Sequence, residues 1–161
     1  NPLTTMQFIF WTIGKTNSAE FAKWENDFTK RIKSFTPFDS DVLDAGRGLK
    51  NPDQIRAEEG KKVLSRLKTE DYLILLDEKG KTFTSREFAN YLEKKMSTSS
   101  GKRIVFLVGG AYGFHESIYS RANDKISLSA MTFSHQLIRQ IFLEQLYRAF
   151  TIINNHPYHN E

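Results

Sequence analysis

Hydrophobic positions along the chain fall into alternating short runs and helical stripes. Met6–Ile13 (MQFIFWTI) is an unbroken run of β-formers stopped by Gly14, which predicts a buried first strand. From Ser18 the spacing changes: Phe21, Trp24, Phe28, Ile32 and Phe35 recur at three- and four-residue steps, which puts them on one helical face. Pro37 ends that helix, and Phe38–Leu43 reads as a weaker strand leading into a loose basic loop, Asp44–Gly48, around Arg47. Asn51-Pro52 is a helix start, and the helix runs through about Lys68. Tyr72–Leu76 predicts a strand, Asp77–Lys81 a polar turn, and Thr84-x-x-Glu87 a capping box opening a helix to about Lys95. After a hinge-like connection at Ser97–Gly101 come a continuous apolar strand, Arg103–Val108, a glycine-rich turn, and a short polar helix near Glu116–Ala122. A strong helix follows from Gln136 to about Phe150.

Strands alternating with helices at this spacing predict an α/β fold with a mostly parallel sheet. Ligands of such sheets sit beyond the carboxyl ends of the strands, so the segments after Leu76, Val108 and Leu128 are the places to look. Gly109-Gly110-x-x-Gly113 offers backbone amides without side-chain bulk, suited to a nucleotide-like ligand, although a glycine pair after a strand is more often just a tight turn. Leu128–Ser134 (LSAMTFS) mixes small, hydroxyl and apolar residues just before a helix, where Ser134 can cap and exposed backbone can hold an adenine-like ring. The last helix carries apolar residues on more than one stripe, from Leu137, Ile138, Ile141 and Phe142 to Leu146, Tyr147 and Phe150. That width fits either a homodimer seam or a central core helix.

Composition narrows the choice. With 161 residues and 39% apolar, the chain is the size of one domain, here Met6–Glu161, preceded by Asn1–Thr5 as a candidate cloning scar. Zero cysteines exclude a disulfide scaffold, a thiolate zinc site and a cysteine nucleophile. No apolar run reaches the roughly 20 residues of a membrane span, which predicts a cytoplasmic protein. The charge of +4 lies wholly in the second half: residues 1–80 hold 13 basic and 13 acidic residues, residues 81–161 hold 10 and 6. That excess suits a polyanionic partner but is far below that of a nucleic-acid coat. His156 and His159 in the ending Asn155-His-Pro-Tyr-His159 do not make a metal site, because Pro157 separates them and no carboxylate or thiol cluster accompanies them. Planar hydrogen-bonding groups there suit a nucleobase and phosphate instead.

Taken together, Leu76-Asp77, Leu107-Val108-Gly109-Gly110 with Gly113, Ser127–Thr132, His135, Leu146-Tyr147-Arg148-Ala149 and Asn155–His159 resemble the ribosomal large-subunit methyltransferase H family of the SPOUT superfamily. The resemblance spans Met6–Glu161 and is most specific in the last 35 residues. It implies a SPOUT α/β domain with a deep C-terminal trefoil knot, acting as a homodimer. It also implies S-adenosylmethionine held by Leu76, Gly109, Leu128, Ser129, Ala130, Met131, Thr132 and Phe133. The implied reaction is methylation of N3 of a pseudouridine in the decoding-region hairpin loop of 23S rRNA, on assembled ribosomes. His156, Tyr158 and His159 are then candidates to orient the base or take its proton, histidine being the side chain that titrates near neutrality. The chain departs from the family at Ala111-Tyr112, where Pro-Glu is common, at Ser134 and Gln136, where prolines flank the loop histidine, and at Asn160, where a relative has Arg. Arg47, Arg139 and Arg148 are candidates to supply the missing phosphate contact. The alternatives are a non-catalytic RNA- or ribosome-binding module on the same fold, and another small α/β nucleotide enzyme. Neither a G-x-S-x-G elbow nor an H-E-x-x-H motif is present to support a hydrolase.

Overall fold

A computed structural model describes residues 6–98 and 101–160; Asn1–Thr5, part of the Ser97–Gly101 connection and the final residue lie outside the described residues. Among the described residues five strands, β1 (Gln7–Ile13), β2 (Phe38–Leu43), β3 (Tyr72–Thr82), β4 (Arg103–Val108) and β5 (Asp124–Ser127), form one sheet in the order β2-β1-β4-β3-β5. Every pairing is parallel. The helices are α1 (Ala19–Lys33), α2 (Pro52–Arg66), α3 (Ser85–Thr98), α4 (Glu116–Arg121) and α5 (Leu137–Ile153).

The period-two alternation of the central strands divides the core into two layers. Phe8, Phe10, Ile74, Ile104 and Phe106 face α1, α3 and α5, while Ile9, Trp11, Leu73, Leu75, Val105 and Leu107 face α2 and α4. Rings fill the first layer: Phe142 of α5 lies 4.8 Å from both Phe10 and Phe106, centroid to centroid. The stripe expected on α1 packs there too, with Phe28 and Ile32 buried and Trp24 stacked 4.0 Å from Phe28.

Helix starts follow from short side chains. Ser18 Oγ accepts from the Phe21 amide, and Asn51 Oδ1 accepts from the Asp53 and Gln54 amides. Thr84 and Glu87 exchange both bonds of the capping box, at 3.1 and 2.8 Å. Ser134 accepts from the Leu137 amide at 3.1 Å, ahead of α5. The width of the apolar surface on α5 is largely used within the chain, since Phe142, Leu143, Leu146, Tyr147 and Phe150 are all buried between α1, α3 and the sheet.

One element differs from expectation. Asp77–Lys81, a turn by composition, belongs to β3. Both Leu76 and Lys81 pair with Ile126, so the four residues between them leave the ladder and return to it. Gly80 makes the return possible: a Cβ there would stand 2.5 Å from the Ile126 nitrogen and the Lys125 carbonyl carbon.

Candidate active site

The mid-strand excursion of β3 and the carboxyl ends of β4 and β5 surround a cavity of about 460 Å³, within the usual range for a small-molecule site. Leu76, Gly109, Leu128, Ser129, Met131, Thr132 and Phe133 all line it, and Ala130, exposed in the same loop, does not. Sequence reasoning quoted Asp77 and Ser127 as motif residues without assigning them to the cofactor and did not assign Glu78, Tyr119 or Ile138 to the site; all five line the cavity, as do Gly110, Gly113 and His135. The position of Asp77 directly after a cavity-lining strand residue is the signal that could have found it.

Local bonds hold each wall. In the β4 loop the Gly113 amide bonds the Gly110 carbonyl at 3.2 Å, with Gly113 at φ 79°. A side chain at Gly110 would meet the Glu59 carboxylate at 2.7 Å, so the loop lies directly on α2. Past β5, Ser127 Oγ donates to the Ser129 carbonyl and Ser129 Oγ accepts from the Met131 amide. The hydroxyls therefore tie the loop to itself and leave Met131 74% exposed at its crest. Thr132 Oγ1 reaches across to Glu78 Oε2 at 2.8 Å, joining that loop to the β3 excursion.

The third wall is the first turn of α5, and Arg139 fixes it. This side chain is fully buried, with its guanidinium donating to the carbonyls of Ile13, Gly14 and His135 and to Thr16 Oγ1. Arg139 is thus unavailable for the phosphate contact expected of it, because its donors are spent on the end of β1. Gln136 adds two bonds to the same turn, at the Asn17 amide and the Lys15 carbonyl. Burial, and then the Arg139 charge, hold His135 below the usual histidine range, which keeps this part of the lining uncharged. Tyr119 is pushed up to about 12 by burial and by Asp77, so its hydroxyl remains a donor.

The histidine-rich tail lies elsewhere in the chain. Asn155 takes φ 56° after α5, and the His156 amide bonds the Thr151 carbonyl at 2.8 Å while the Asn155 amide bonds Ile152. This Schellman-type stop orders the tail. Thr151 lies 13 residues beyond the cavity-lining Ile138 on α5, about 20 Å at the helical rise. His156 is exposed, its ring edge-on to Phe35. Tyr158 packs on Tyr147 and donates to Glu144 Oε1 at 3.2 Å; burial, then Glu144, raise its pKa and keep the phenol protonated. Arg148 pairs with Glu144, stacks 4.8 Å over the Tyr158 ring and meets His159 Nδ1 at 3.0 Å. A guanidinium only donates, so His159 Nδ1 accepts. Neither His156, Tyr158 nor His159 lines the cavity of its own chain. Arg47 is exposed in the β2–α2 loop and paired with Asp44 at 2.8 Å.

The sequence profile described as "Predicted SPOUT methyltransferase" matches residues 6–159. A protein from Parabacteroides distasonis named "Ribosomal RNA large subunit methyltransferase H" is 52% identical over 92% of this chain and 96% of its own length. The chain belongs to this SPOUT methyltransferase family. Methyltransferase H proteins from Phocaeicola vulgatus (49% identity, 97% of this chain and all of the relative) and Cytophaga hutchinsonii (47%, 96% and 100%) span it equally fully. A crystal structure of a hypothetical protein shares the fold at TM-score 0.54 with 10% identity, over 91% of this chain and 68% of the other.

Proposed function

We propose that the chain is an S-adenosylmethionine-dependent methyltransferase acting on N3 of a pseudouridine in 23S rRNA, in the decoding-region hairpin loop of assembled ribosomes. The observation that carries this reading is the cavity at the strand ends, lined by Leu76, Gly109 and five residues of Leu128–Phe133. These residues would supply backbone amides, carbonyls and apolar surface for the adenosyl group of S-adenosylmethionine, whose sulfonium carries the electrophilic methyl. S-adenosylmethionine also fits the charge of the site, where Asp77 and Glu78 face one lysine, Lys79.

The reaction needs little covalent help. An imide N3 flanked by two carbonyls must lose its proton and line up behind the methyl, so placement and charge do most of the work. The tail residues divide the remaining roles. Tyr158, its one hydroxyl hydrogen donated to Glu144, offers its ring for stacking on a base, and His159, held at Nδ1 by Arg148, helps to orient that base. His156, exposed to solvent, is the residue to take the N3 proton. Because this tail does not reach its own cavity, we assign it to the cavity of a second copy, which makes the working unit a homodimer. With the family we extend to the chain its knotted C-terminal topology. Arg47 lies beyond the carboxyl end of β2, on the face of the cavity, and Arg148 lies with the tail; these two are the candidate RNA contacts.

Calorimetry with S-adenosylmethionine, followed by methylation of ribosomes from a strain lacking the enzyme, tests the proposal. Binding with transfer to assembled particles is expected. No binding removes the methyltransferase reading, and equal transfer to naked rRNA removes the assembled-particle substrate.

A further inference from the structure

Buried side-chain oxygens without a hydrogen-bond partner among the described residues are Glu59 Oε1, Asp77 Oδ2 and Gln140 Oε1. Two of them are carboxylate oxygens at the candidate site: Asp77 lines the cavity, and Glu59 lies beneath Gly110. Native proteins rarely leave such an acceptor unpaired, and an unpaired carboxylate is the costlier case. For Asp77 the folded chain supplies only half of what the group needs. Its Oδ1 accepts from the Lys79 amide at 3.1 Å, and the Tyr119 hydroxyl packs against the same carboxyl group. Lys79, the one lysine in the lining among the described residues, is exposed, and Glu78 is already engaged by Thr132.

This inference rests on the S-adenosylmethionine reading. The cofactor offers three kinds of donor: the adenine amine, the ribose hydroxyls and the α-ammonium. Only the ammonium is charged, and charge-assisted bonds are about twice as strong as neutral ones. Backbone carbonyls along Leu128–Phe133 can serve the neutral donors, whereas the ammonium needs a fixed negative charge. We propose that Asp77 is a cofactor-binding residue that receives the α-ammonium of S-adenosylmethionine through Oδ2, so that the amino-acid end lies along the β3 excursion.

The test compares wild type and Asp77→Asn in binding to S-adenosylmethionine, S-adenosylhomocysteine and 5′-methylthioadenosine, which retains adenine and ribose but has no ammonium. The variant is expected to weaken the first two by about ten-fold or more, the usual range for a bond to a charged group, and to leave methylthioadenosine unchanged. Equal losses for all three would assign Asp77 to the ribose or adenine and overturn the proposal. A loss for S-adenosylmethionine alone would assign it to the sulfonium and overturn the proposal too, as would no loss at all. Should the variant not fold, wild type is measured against desamino-S-adenosylhomocysteine, where affinity equal to that of S-adenosylhomocysteine overturns the assignment. Failure of the cofactor reading itself has a separate signature, wild type binding neither S-adenosylmethionine nor S-adenosylhomocysteine.

Discussion

Glu59 limits what the glycine loop tolerates. Its carboxylate, the far end of a flexible side chain, occupies the space a Gly110 side chain would need, so Gly110→Ala is expected to push that carboxylate aside and weaken cofactor binding by about three-fold. Trimming the obstruction in a Glu59→Ala, Gly110→Ala double variant should return part of that affinity, read by calorimetry. Glu59 also gives stability a pH dependence of known sign. Burial, only partly opposed by Arg56, raises its pKa in the folded state above the ordinary 4.5. The protonated form is therefore favoured by folding: its contribution is full below 4.5 and is lost as pH rises through the folded value. Glu59→Gln should accordingly gain thermal stability relative to wild type on going from about pH 4 to pH 7, and parallel melting curves would refute this. At the other end of the chain, His156→Ala is expected to lower kcat about 100-fold, typical of a lost general base, with cofactor affinity intact in calorimetry.

At the scale of elements, what could be read in the sequence is what neighbours in the chain decide. Ser18, Asn51 and the Thr84–Glu87 pair announced their helices because each cap bonds an amide two or three residues away. The cavity loops were visible for a similar reason, since small residues after an apolar strand are a local pattern. The second half of β3 was hidden because Asp-Glu-Lys-Gly-Lys has the composition of a turn and becomes strand only through β5, more than 40 residues on. Arg139 was misread as a surface cation because its acceptors lie 123 to 126 residues away. Two substitutions test these long-range claims by denaturant unfolding. Gly80→Ala should cost about 2 kcal/mol by forcing β3 and β5 apart. Arg139→Met should cost about 3 kcal/mol by leaving buried carbonyls without donors.

For the molecule as a whole, the proposed assignment of the tail to a second copy's cavity predicts that activity belongs to pairs of chains. A His156→Ala chain and a chain disabled in the cavity should each be inactive alone. After mixing and random reassociation, about a quarter of wild-type activity should return, because half the dimers carry one intact site. No recovery on mixing would mean that each tail serves its own cavity. In the proposed dimer the charge excess that a polyanion meets would double, from four to eight. The buried Arg139 has a consequence in time as well as in space. By joining the end of β1 to α5 it makes the candidate cavity depend on one of the longest-range contacts in the chain, a kind that forms late in folding. A ligand that binds only the completed cavity then acts as a clasp on the whole fold. Amide exchange at the first turn of α5 and at Gly14 should slow together when cofactor is added, although their positions in the chain are far apart.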